Sequence, residues 1–376
     1  MISIPVELKD VGYLIDVEEN SLERVGVALA SLGNVSRVLL VSDETVDSLY
    51  GDDVAKSIVN RGLDLDVIVV PAGEESKSID VAFSIWERFL EIGADRRSVA
   101  VALGGGVVGD LTGFVAATYQ RGIRFFQVPT SLLAQVDSSV GGKTAINLPK
   151  GKNMVGAFYQ PCGVLIDPTV LSSLSNEQYR SGLGEVVKYG VSLDDAFFVT
   201  LEGNVEKIKA RDPSILGEII ARCCGIKAQI VSEDEKETTG RRALLNYGHT
   251  LGHALETALG YGTLPHGYGV SIGSILVARL ALRLAQKGDT RFAEIDEGWI
   301  ERQINLVRAM GLPANLADVG RAYADAPETE PENIVALAAS DKKAEFGMLN
   351  FVLPVKLGEC IYVKNVSAED VLATLN

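Results

Sequence analysis

Cysteine is scarce in this sequence. Four occur among 376 residues (Cys162, Cys223, Cys224 and Cys360), and no two have C-x-x-C spacing. A zinc ribbon or a redox pair needs that spacing, so neither is expected, and a disulfide framework is disfavoured as well. Four isolated buried thiols in a reduced, cytoplasmic protein is the simplest expectation. Long apolar runs are missing too, since no stretch approaches the roughly 18 consecutive apolar residues of a membrane span. The opening MISIPVELKDVGYLIDVEEN places acids where a signal peptide needs a basic flank and an apolar core. Positive charge is in deficit: 35 Lys and Arg face 50 Asp and Glu, for a formal charge of −15. Polyanions are held by clustered Lys and Arg on basic surfaces, so nucleic acid is not an expected partner. A small anionic substrate remains compatible, because a local pocket of cations can sit inside an acidic protein. Histidine numbers only three.

Apolar residues make up 47% and charged residues 23% of the chain, enough to build sizeable cores. The length suggests about two domains. Up to residue 168, short β-branched runs alternate with helical patterns. Strands are expected at Arg37–Val41, Asp66–Val70, Ser98–Leu103 and Phe125–Val128, with an amphipathic helix over Val81–Ile92. That alternation predicts an α/β fold, an N-terminal doubly wound Rossmann-like domain over residues 1–168. Residues 169–376 read as a mostly α-helical C-terminal domain. Its helical periodicities run over Asp194–Ala210, Ile215–Val231, Thr250–Leu259, Val270–Gln286 and Glu297–Met310, with a β-like piece at Met348–Pro354.

After the apolar run Ser98–Leu103 comes Gly104-Gly105-Gly106-Val107-Val108-Gly109-Asp110, a G-x-G-x-x-G match at a strand-to-helix junction. Glycines there let backbone amides approach a pyrophosphate, and the helix N-terminus favours its charge. A dinucleotide fingerprint ordinarily follows the first strand, with an acid about 20 residues on. Here the turn follows a later strand, and Asp43, after VLLVS, is the better candidate for a ribose. A tight structural turn is the competing reading of these glycines.

The three histidines, His249, His253 and His266, all fall within 18 residues. Helical spacing puts His249 and His253 on one face, which Asn246 joins if its own turn is helical. Such a pair suits a divalent metal. The Glu of a His-Glu-x-x-His peptidase is absent, because position 250 is Thr. His266 follows a loop containing Gly and Pro and can return to complete a site. A mixed nitrogen and oxygen site needs a carboxylate, and Glu185 in Gly-Glu-Val-Val-Lys is the candidate. In a helix Glu185 shares a face with Lys188, so a mutual structural pair is the alternative. Lys143, Lys152 with Asn153, Arg242, and the pair Lys342 and Lys343 sit in Gly-rich or otherwise special contexts, with Lys227 on a helical stretch. Gathered in an acidic protein, they suggest a phosphate and carboxylate pocket.

Several stretches together carry a resemblance. They are Gly73-Glu74-Glu75-Ser76-Lys77, GGGVVGD, TYQRG with Arg121, VPTSLLAQVDSSVGGKTAIN, GKNMVGAFYQP, GLGEVVKYG, LLNYGHTLGHALE and SDKK. In order and number the chain resembles the 3-dehydroquinate synthases of the sugar-phosphate cyclase superfamily. The resemblance implies a lyase of the shikimate pathway of aromatic amino-acid biosynthesis. It would convert 3-deoxy-arabino-heptulosonate 7-phosphate to 3-dehydroquinate and phosphate. The steps would be transient oxidation with NAD, phosphate elimination, return of the hydride and intramolecular aldol closure.

By the same resemblance, zinc or cobalt would be held by Glu185, His249 and His266. NAD would lie on Asp43, Glu74, Lys77, Gly105, Gly106, Val107, Asp110, Thr130 and Ser131. The catalytic group would comprise His253, Asn246, Lys143, Lys188, Asp137 and Arg242, with His253 and Asn246 relaying protons. Lys152, Asn153, Lys227 and one of Lys342 or Lys343 would bind the phosphorylated sugar acid. Arg121 resembles the residue that family members lend across a homodimer interface.

Four departures stand out. His266-Gly267-Tyr268-Gly269-Val270 has Tyr where relatives usually carry Glu. Gly184 replaces a usual Ala, Ser131 a usual Thr, and an extra residue falls within Glu237–Arg242. Tyr268 keeps open a sister cyclase acting on sedoheptulose 7-phosphate or glucose 6-phosphate. A metal-dependent polyol dehydrogenase is the reading from another class, and it predicts net NADH. A non-catalytic NAD-binding paralogue is the third.

Overall fold

The computed structural model describes residues 1–9, 12–149, 151–260, 262–340 and 349–375. The chain forms two compact units. The first holds Met1–Leu174 and Pro213–Lys236, the second Ser175–Asp212 and Glu237–Asn376.

The first unit is built on a seven-stranded sheet. Its strands are β1 (Ile2–Val6), β2 (Tyr13–Val17), β3 (Val38–Asp43), β4 (Leu65–Val70), β5 (Val99–Gly104), β6 (Arg124–Pro129) and, after a separate hairpin, β9 (Val164–Ile166). The hairpin is β7 (Lys143–Leu148) paired antiparallel with β8 (Gly151–Phe158). Sheet order is β1-β2-β9-β6-β5-β3-β4, antiparallel between β1 and β2 and parallel elsewhere. The helices are α1 (Val25–Ser31), α2 (Asp52–Val59), α3 (Ile79–Glu91) and α4 (Gly106–Thr118).

Both faces of this sheet are covered, which is why its strands read as apolar runs rather than as alternation. Leu39, Val41, Ala100, Ala102 and Phe125 pack with Ile85 and Phe89 of α3 and Leu111 and Val115 of α4. The alternate residues Val38, Leu40, Val99, Val101, Phe126 and Val128 pack with Leu29 of α1 and Val54 and Ile58 of α2. The four expected strands are present. The edge strands β1 and β2 are additional. β2 alternates buried Tyr13, Ile15 and Val17 with more exposed Leu14 and Asp16.

The winding explains where the glycine turn lies. From β3 the chain steps outward to β4, then crosses back past β3 to β5. Ligands of doubly wound sheets bind at the carboxyl ends of strands where the winding reverses. That reversal falls between β3, ending at Asp43, and β5, ending at Gly104. The turn follows a late strand because β1 and β2, and then β3 with its outward neighbour β4, all come before β5 in the chain.

α5 (Asn176–Leu193) opens the second unit, and α6 (Pro213–Glu233) belongs to the first. A single break at residue 168 therefore does not describe the compact units. The apolar stripe of α6, including Leu216, Ile219, Ile220, Cys223 and Cys224, is buried, and the helix packs on β1 and β2.

The second unit continues with α7 (His249–Ala258), α8 (His266–Gln286), α9 (Glu297–Ala309), α10 (Pro331–Ser340), the hairpin β10 (Leu349–Lys356) with β11 (Glu359–Val366), and α11 (Ala368–Leu375). β10 covers the expected β-like piece from Leu349 onward; Met348 lies outside the described residues. α8 is long and apolar enough to span a membrane, but most of it is buried within its unit. Small residues let its neighbours approach backbone to backbone. A Cβ on Gly273 would lie 2.1 Å from the carbonyl oxygen of Gly248, and one on Gly267 1.7 Å from that of Ser181. A Cβ on Gly184 would lie 2.3 Å from the Gly267 carbonyl oxygen. Thus α7 and α5 are both held tightly to α8, and each brings a site residue with it.

Candidate active site

In the first unit, Gly105 is the N-cap of α4 and contributes no side-chain cap, so the opening amides of the helix are left for an external acceptor. A Cβ on Gly105 would lie 3.3 Å from Ser131 Oγ, and one on Gly106 3.0 Å from Ser138 Oγ. Asp43 caps the next turn, its Oδ1 accepting from the amides of Thr45 and Val46 at 3.0 Å each. Thr130 donates its backbone N–H to the Gly104 carbonyl at 2.9 Å.

Beside this turn the buried Lys77 ammonium contacts Asp110 Oδ2 at 2.7 Å and the side-chain oxygen of Asn153. Asn153 N–H donates to Asn147 Oδ1 at 2.8 Å, and Asn147 Nδ2 donates to Glu74 Oε1 at 2.8 Å. One network therefore joins the segment before α3, the start of α4 and the β7–β8 hairpin. Burial raises the Asp110 carboxyl, and the Lys77 charge opposes that rise. Lys227 of α6 reaches Asp137 through both Oδ1 (2.8 Å) and the backbone oxygen (2.7 Å). Lys143 and Asn153 are exposed on the hairpin and Lys152 is half-buried. Arg121 is exposed at the end of a segment where Gln120 (φ 49°) and Arg121 (φ 68°) both adopt left-handed backbone. Such conformations are costly for non-glycine residues and cluster at functional positions.

In the second unit, Glu185 of α5 has no measurable exposure. Its Oε1 lies 3.3 Å from His249 Nε2 and 3.4 Å from His266 Nε2, while Lys188 forms an ion pair with Oε2. Neither carboxylate oxygen takes a well-directed hydrogen bond from the described residues. The far side of each ring is engaged: His249 Nδ1 is 3.2 Å from the Tyr247 carbonyl, and His266 Nδ1 is 2.9 Å from Glu256 Oε1. His253 completes the cluster, its ring 5.4 Å from His249 and 5.7 Å from His266, centroid to centroid. One ligand atom from each of the three histidines fits within 4.8 Å. Lys188 also donates to the Leu245 carbonyl at 2.9 Å.

Electrostatics favour a cation here. Burial pushes His249 down to about 4, against the pull of Glu185. Burial acts the same way on His266, but hydrogen bonds to Glu185 and Glu256 outweigh it and lift that ring to about 10. Burial opposes ionisation of Glu185, yet Lys188 and His249 hold its carboxyl well below the usual range. A buried carboxylate facing two ring nitrogens anchored from behind is the arrangement a divalent metal requires.

Asn246 differs from expectation. It ends a separate short helix, Arg241–Asn246, and Gly248 (φ 79°) breaks the chain before α7 begins at His249. Asn246 is therefore not part of the helical face of His249 and His253. Lys342 and Lys343 lie outside the described residues. Two acids went unmarked in the sequence reading. Glu256 follows His253 by three residues on α7, so helical spacing was a readable signal. Glu237, in left-handed backbone at φ 55°, faces Arg242 at 3.9 Å, and no sequence pattern marks it.

The fold and these clusters define an α/β enzyme with a nucleotide-type glycine turn and a buried mixed-ligand metal cradle. The family model described as 3-dehydroquinate synthase N-terminal matches residues 67–181, and the one described as 3-dehydroquinate synthase C-terminal matches residues 182–344. The chain belongs to the 3-dehydroquinate synthase family. A 3-dehydroquinate synthase of Desulforamulus reducens is 44% identical over 375 residues, covering 100% of this chain and 99% of its own. Among solved structures, a 2-epi-5-epi-valiolone synthase from Streptomyces hygroscopicus with NAD+ and Zn2+ bound matches with a TM-score of 0.84 at 27% identity, covering 98% of this chain and 97% of its own. A 2-deoxy-scyllo-inosose synthase complexed with carbaglucose-6-phosphate, NAD+ and Co2+ matches with a TM-score of 0.82 at 25% identity, covering 100% and 99%.

Proposed function

We propose that this chain converts 3-deoxy-arabino-heptulosonate 7-phosphate to 3-dehydroquinate and inorganic phosphate, using NAD and one divalent metal, zinc or cobalt. The observation that carries the reading is the buried Glu185 carboxylate facing the Nε2 atoms of His249 and His266. Lys188 offsets one oxygen of this buried carboxylate, and the other, Oε1, is the one that both ring nitrogens face, as a metal ligand would.

When bound, NAD supplies reversible oxidation of a ring hydroxyl, and the metal supplies Lewis-acid polarisation of the substrate oxygens. In this reading Glu185, His249 and His266 hold the metal, and Lys188 balances the second oxygen of Glu185. Gly105, Gly106 and Val107 offer amides to the pyrophosphate, flanked by Thr130 and Ser131. Asp43 holds the ribose, while Glu74, Lys77 and Asp110 fix the wall of the site. Lys143, Lys152, Asn153, Lys227, Arg242 and one of Lys342 or Lys343 bind substrate phosphate and carboxylate. Asp137 orients Lys227. His253, with Asn246, moves protons; its ring stands beside the two ligand histidines, 5.4 Å from His249 and 5.7 Å from His266 between centroids. Residues 1–168 hold NAD and contribute Lys143, Lys152 and Asn153 to substrate, while residues 169–376 hold the metal and the remaining substrate residues. The four free thiols support a cytoplasmic location. A homodimer in which Arg121 serves the partner accounts for its exposed, left-handed backbone.

Tyr268 in place of Glu favours one second reading, a sister cyclase. The test measures phosphate release by metal-loaded protein with NAD+, offering the heptulosonate, sedoheptulose 7-phosphate and glucose 6-phosphate separately, with absorbance followed at the NADH wavelength. Release with the heptulosonate alone and no lasting NADH is expected. Release with another sugar transfers the assignment to a sister cyclase. Accumulating NADH, or no release at all, overturns it.

A further inference from the structure

We infer that Glu256 is the positioning residue that fixes the His266 imidazole for metal binding. The inference rests on the reading of His266 as a metal ligand. The two candidate ligand histidines are held in different ways. His249 is 13% exposed and has a backbone partner, the Tyr247 carbonyl. Tyr247 is itself locked, fully buried and donating its hydroxyl to the Ser274 carbonyl at 3.0 Å. His266 is the first residue of α8, and its side chain is 30% exposed. Among the described residues it has no backbone partner of the kind that His249 has in Tyr247. Its Nδ1 instead meets Glu256 Oε1 at 2.9 Å.

Three features make this contact more than a surface ion pair. The Glu256 side chain is only 12% exposed. It stands on α7 at helical spacing from His253 and His249, so the helix carrying two histidines also carries the group that aims the third. The space it occupies is left by a missing side chain: a Cβ on Gly269 would come 3.1 Å from Glu256 Oε1 and 3.3 Å from its Cγ. With Nδ1–H held by Glu256, the Nε2 atom, 3.4 Å from Glu185 Oε1, is the one aimed at the cradle, where a bound cation would take the place of its proton. Carboxylate partners of this kind set the tautomer and orientation of ligating histidines, and their loss weakens metal affinity by roughly 10–100-fold.

The test is competitive zinc titration against a chromophoric chelator for the parent protein, Glu256→Ala and Glu256→Gln, with the visible spectrum of the Co2+-loaded proteins. About 10–100-fold weaker zinc binding is expected for Glu256→Ala. Its Co2+ absorption bands should also be altered in position or intensity. Glu256→Gln, which keeps an oxygen acceptor for Nδ1–H, should recover part of both. Zinc affinities within twofold of the parent, with an unchanged Co2+ spectrum, overturn the inference. If Glu256→Ala does not fold, Glu256→Gln decides by the same measures. A parent protein that binds no zinc, or a His266→Ala variant that binds it as tightly as the parent, overturns the ligand assignment itself and this inference with it.

Discussion

At the scale of single residues, Lys77 is the most exposed to test. It ties Asp110 at the start of α4 to Asn153 on the hairpin, and its side chain is 5% exposed. Breaking a buried pair by removing one partner leaves an uncompensated charge and typically costs about 3–5 kcal/mol, less where water reaches the partner. Lys77→Met is therefore expected to destabilise the protein by about 2–3 kcal/mol and to raise the KM for NAD+ more than it lowers kcat. Restoring balance with Asp110→Leu in the same chain should recover part of the stability but not the KM. Urea denaturation with steady-state kinetics checks both, and a double variant no more stable than Lys77→Met would show that the charge imbalance is not the cause. The residue types of both clusters were legible in the sequence, because buried Lys and Glu in apolar or Gly-rich stretches are costly without a purpose. Their partners were less so. Asn147 on β7 reaches Glu74 far away in sequence, and Glu237 sits in left-handed backbone; no periodicity encodes either contact.

At the scale of elements, the close helix crossings and the last helix carry separate predictions. Gly267→Ala would drive a methyl group to within 1.7 Å of the Ser181 carbonyl oxygen, backbone that cannot yield by a rotamer change. The expected loss is at least the 1–3 kcal/mol of an overpacked core, accompanied by lower zinc content because α5 carries Glu185. Gly225→Ala on α6 is the control, since nothing lies within 4 Å of the added Cβ. It should stabilise by about 0.5–1 kcal/mol through helix propensity. Melting temperatures and metal analysis decide, and equal effects at the two sites would refute the packing argument. The C-terminal helix α11 is fastened by Asp370, whose Oδ1 accepts from Arg283 at 2.8 Å and contacts Lys287, while Oδ2 accepts from Ser367 at 2.7 Å. Burial would raise the Asp370 carboxyl, but these partners hold it down at about 2. A depressed carboxyl contributes stability that is complete above its ordinary value near 3.8 and vanishes as pH falls through about 2. Asp370→Asn should thus cost about 1–2 kcal/mol from pH 7 to 5, the partly exposed partners reducing the full linkage value. The gap in Tm should narrow as pH drops below 4, and a gap unchanged at pH 3 would mean the carboxylate charge is not what holds α11. The central parallel strands and the long helices were visible as apolar runs and 3.6-residue periods. α5 was not marked as a long periodicity because it is buried on nearly every side, and β1, β2 and β11 are too short or too polar to rise above their flanking loops.

At the scale of the whole molecule, a formal charge of −15 sets the terms for association. Self-repulsion opposes a second copy of an acidic chain unless apolar burial outweighs it. The first unit supplies apolar surface for that purpose. On the β7–β8 hairpin Leu148, Met154, Val155 and Phe158 are 44%, 49%, 38% and 45% exposed, and α3, which packs against β7, adds Ile79 and Phe83. A hairpin with this many exposed apolar residues is an unusual surface for a monomer. It is also the hairpin that carries Lys143, Lys152 and Asn153, so covering it would rigidify residues assigned to substrate. Two consequences follow if this face joins two copies. Met154→Lys, which places a charge in the patch on a residue not assigned to NAD, metal or substrate, should convert a dimer to a monomer in sedimentation. It should also raise the KM for the sugar phosphate, because the hairpin loses its support and Arg121 loses its partner site. Salt should act in the opposite sense, tightening the parent dimer between low and 0.5 M NaCl as repulsion between like-charged copies is screened. A Met154→Lys protein that stays dimeric with unchanged KM would place the interface elsewhere and leave the exposed hairpin without an energetic explanation.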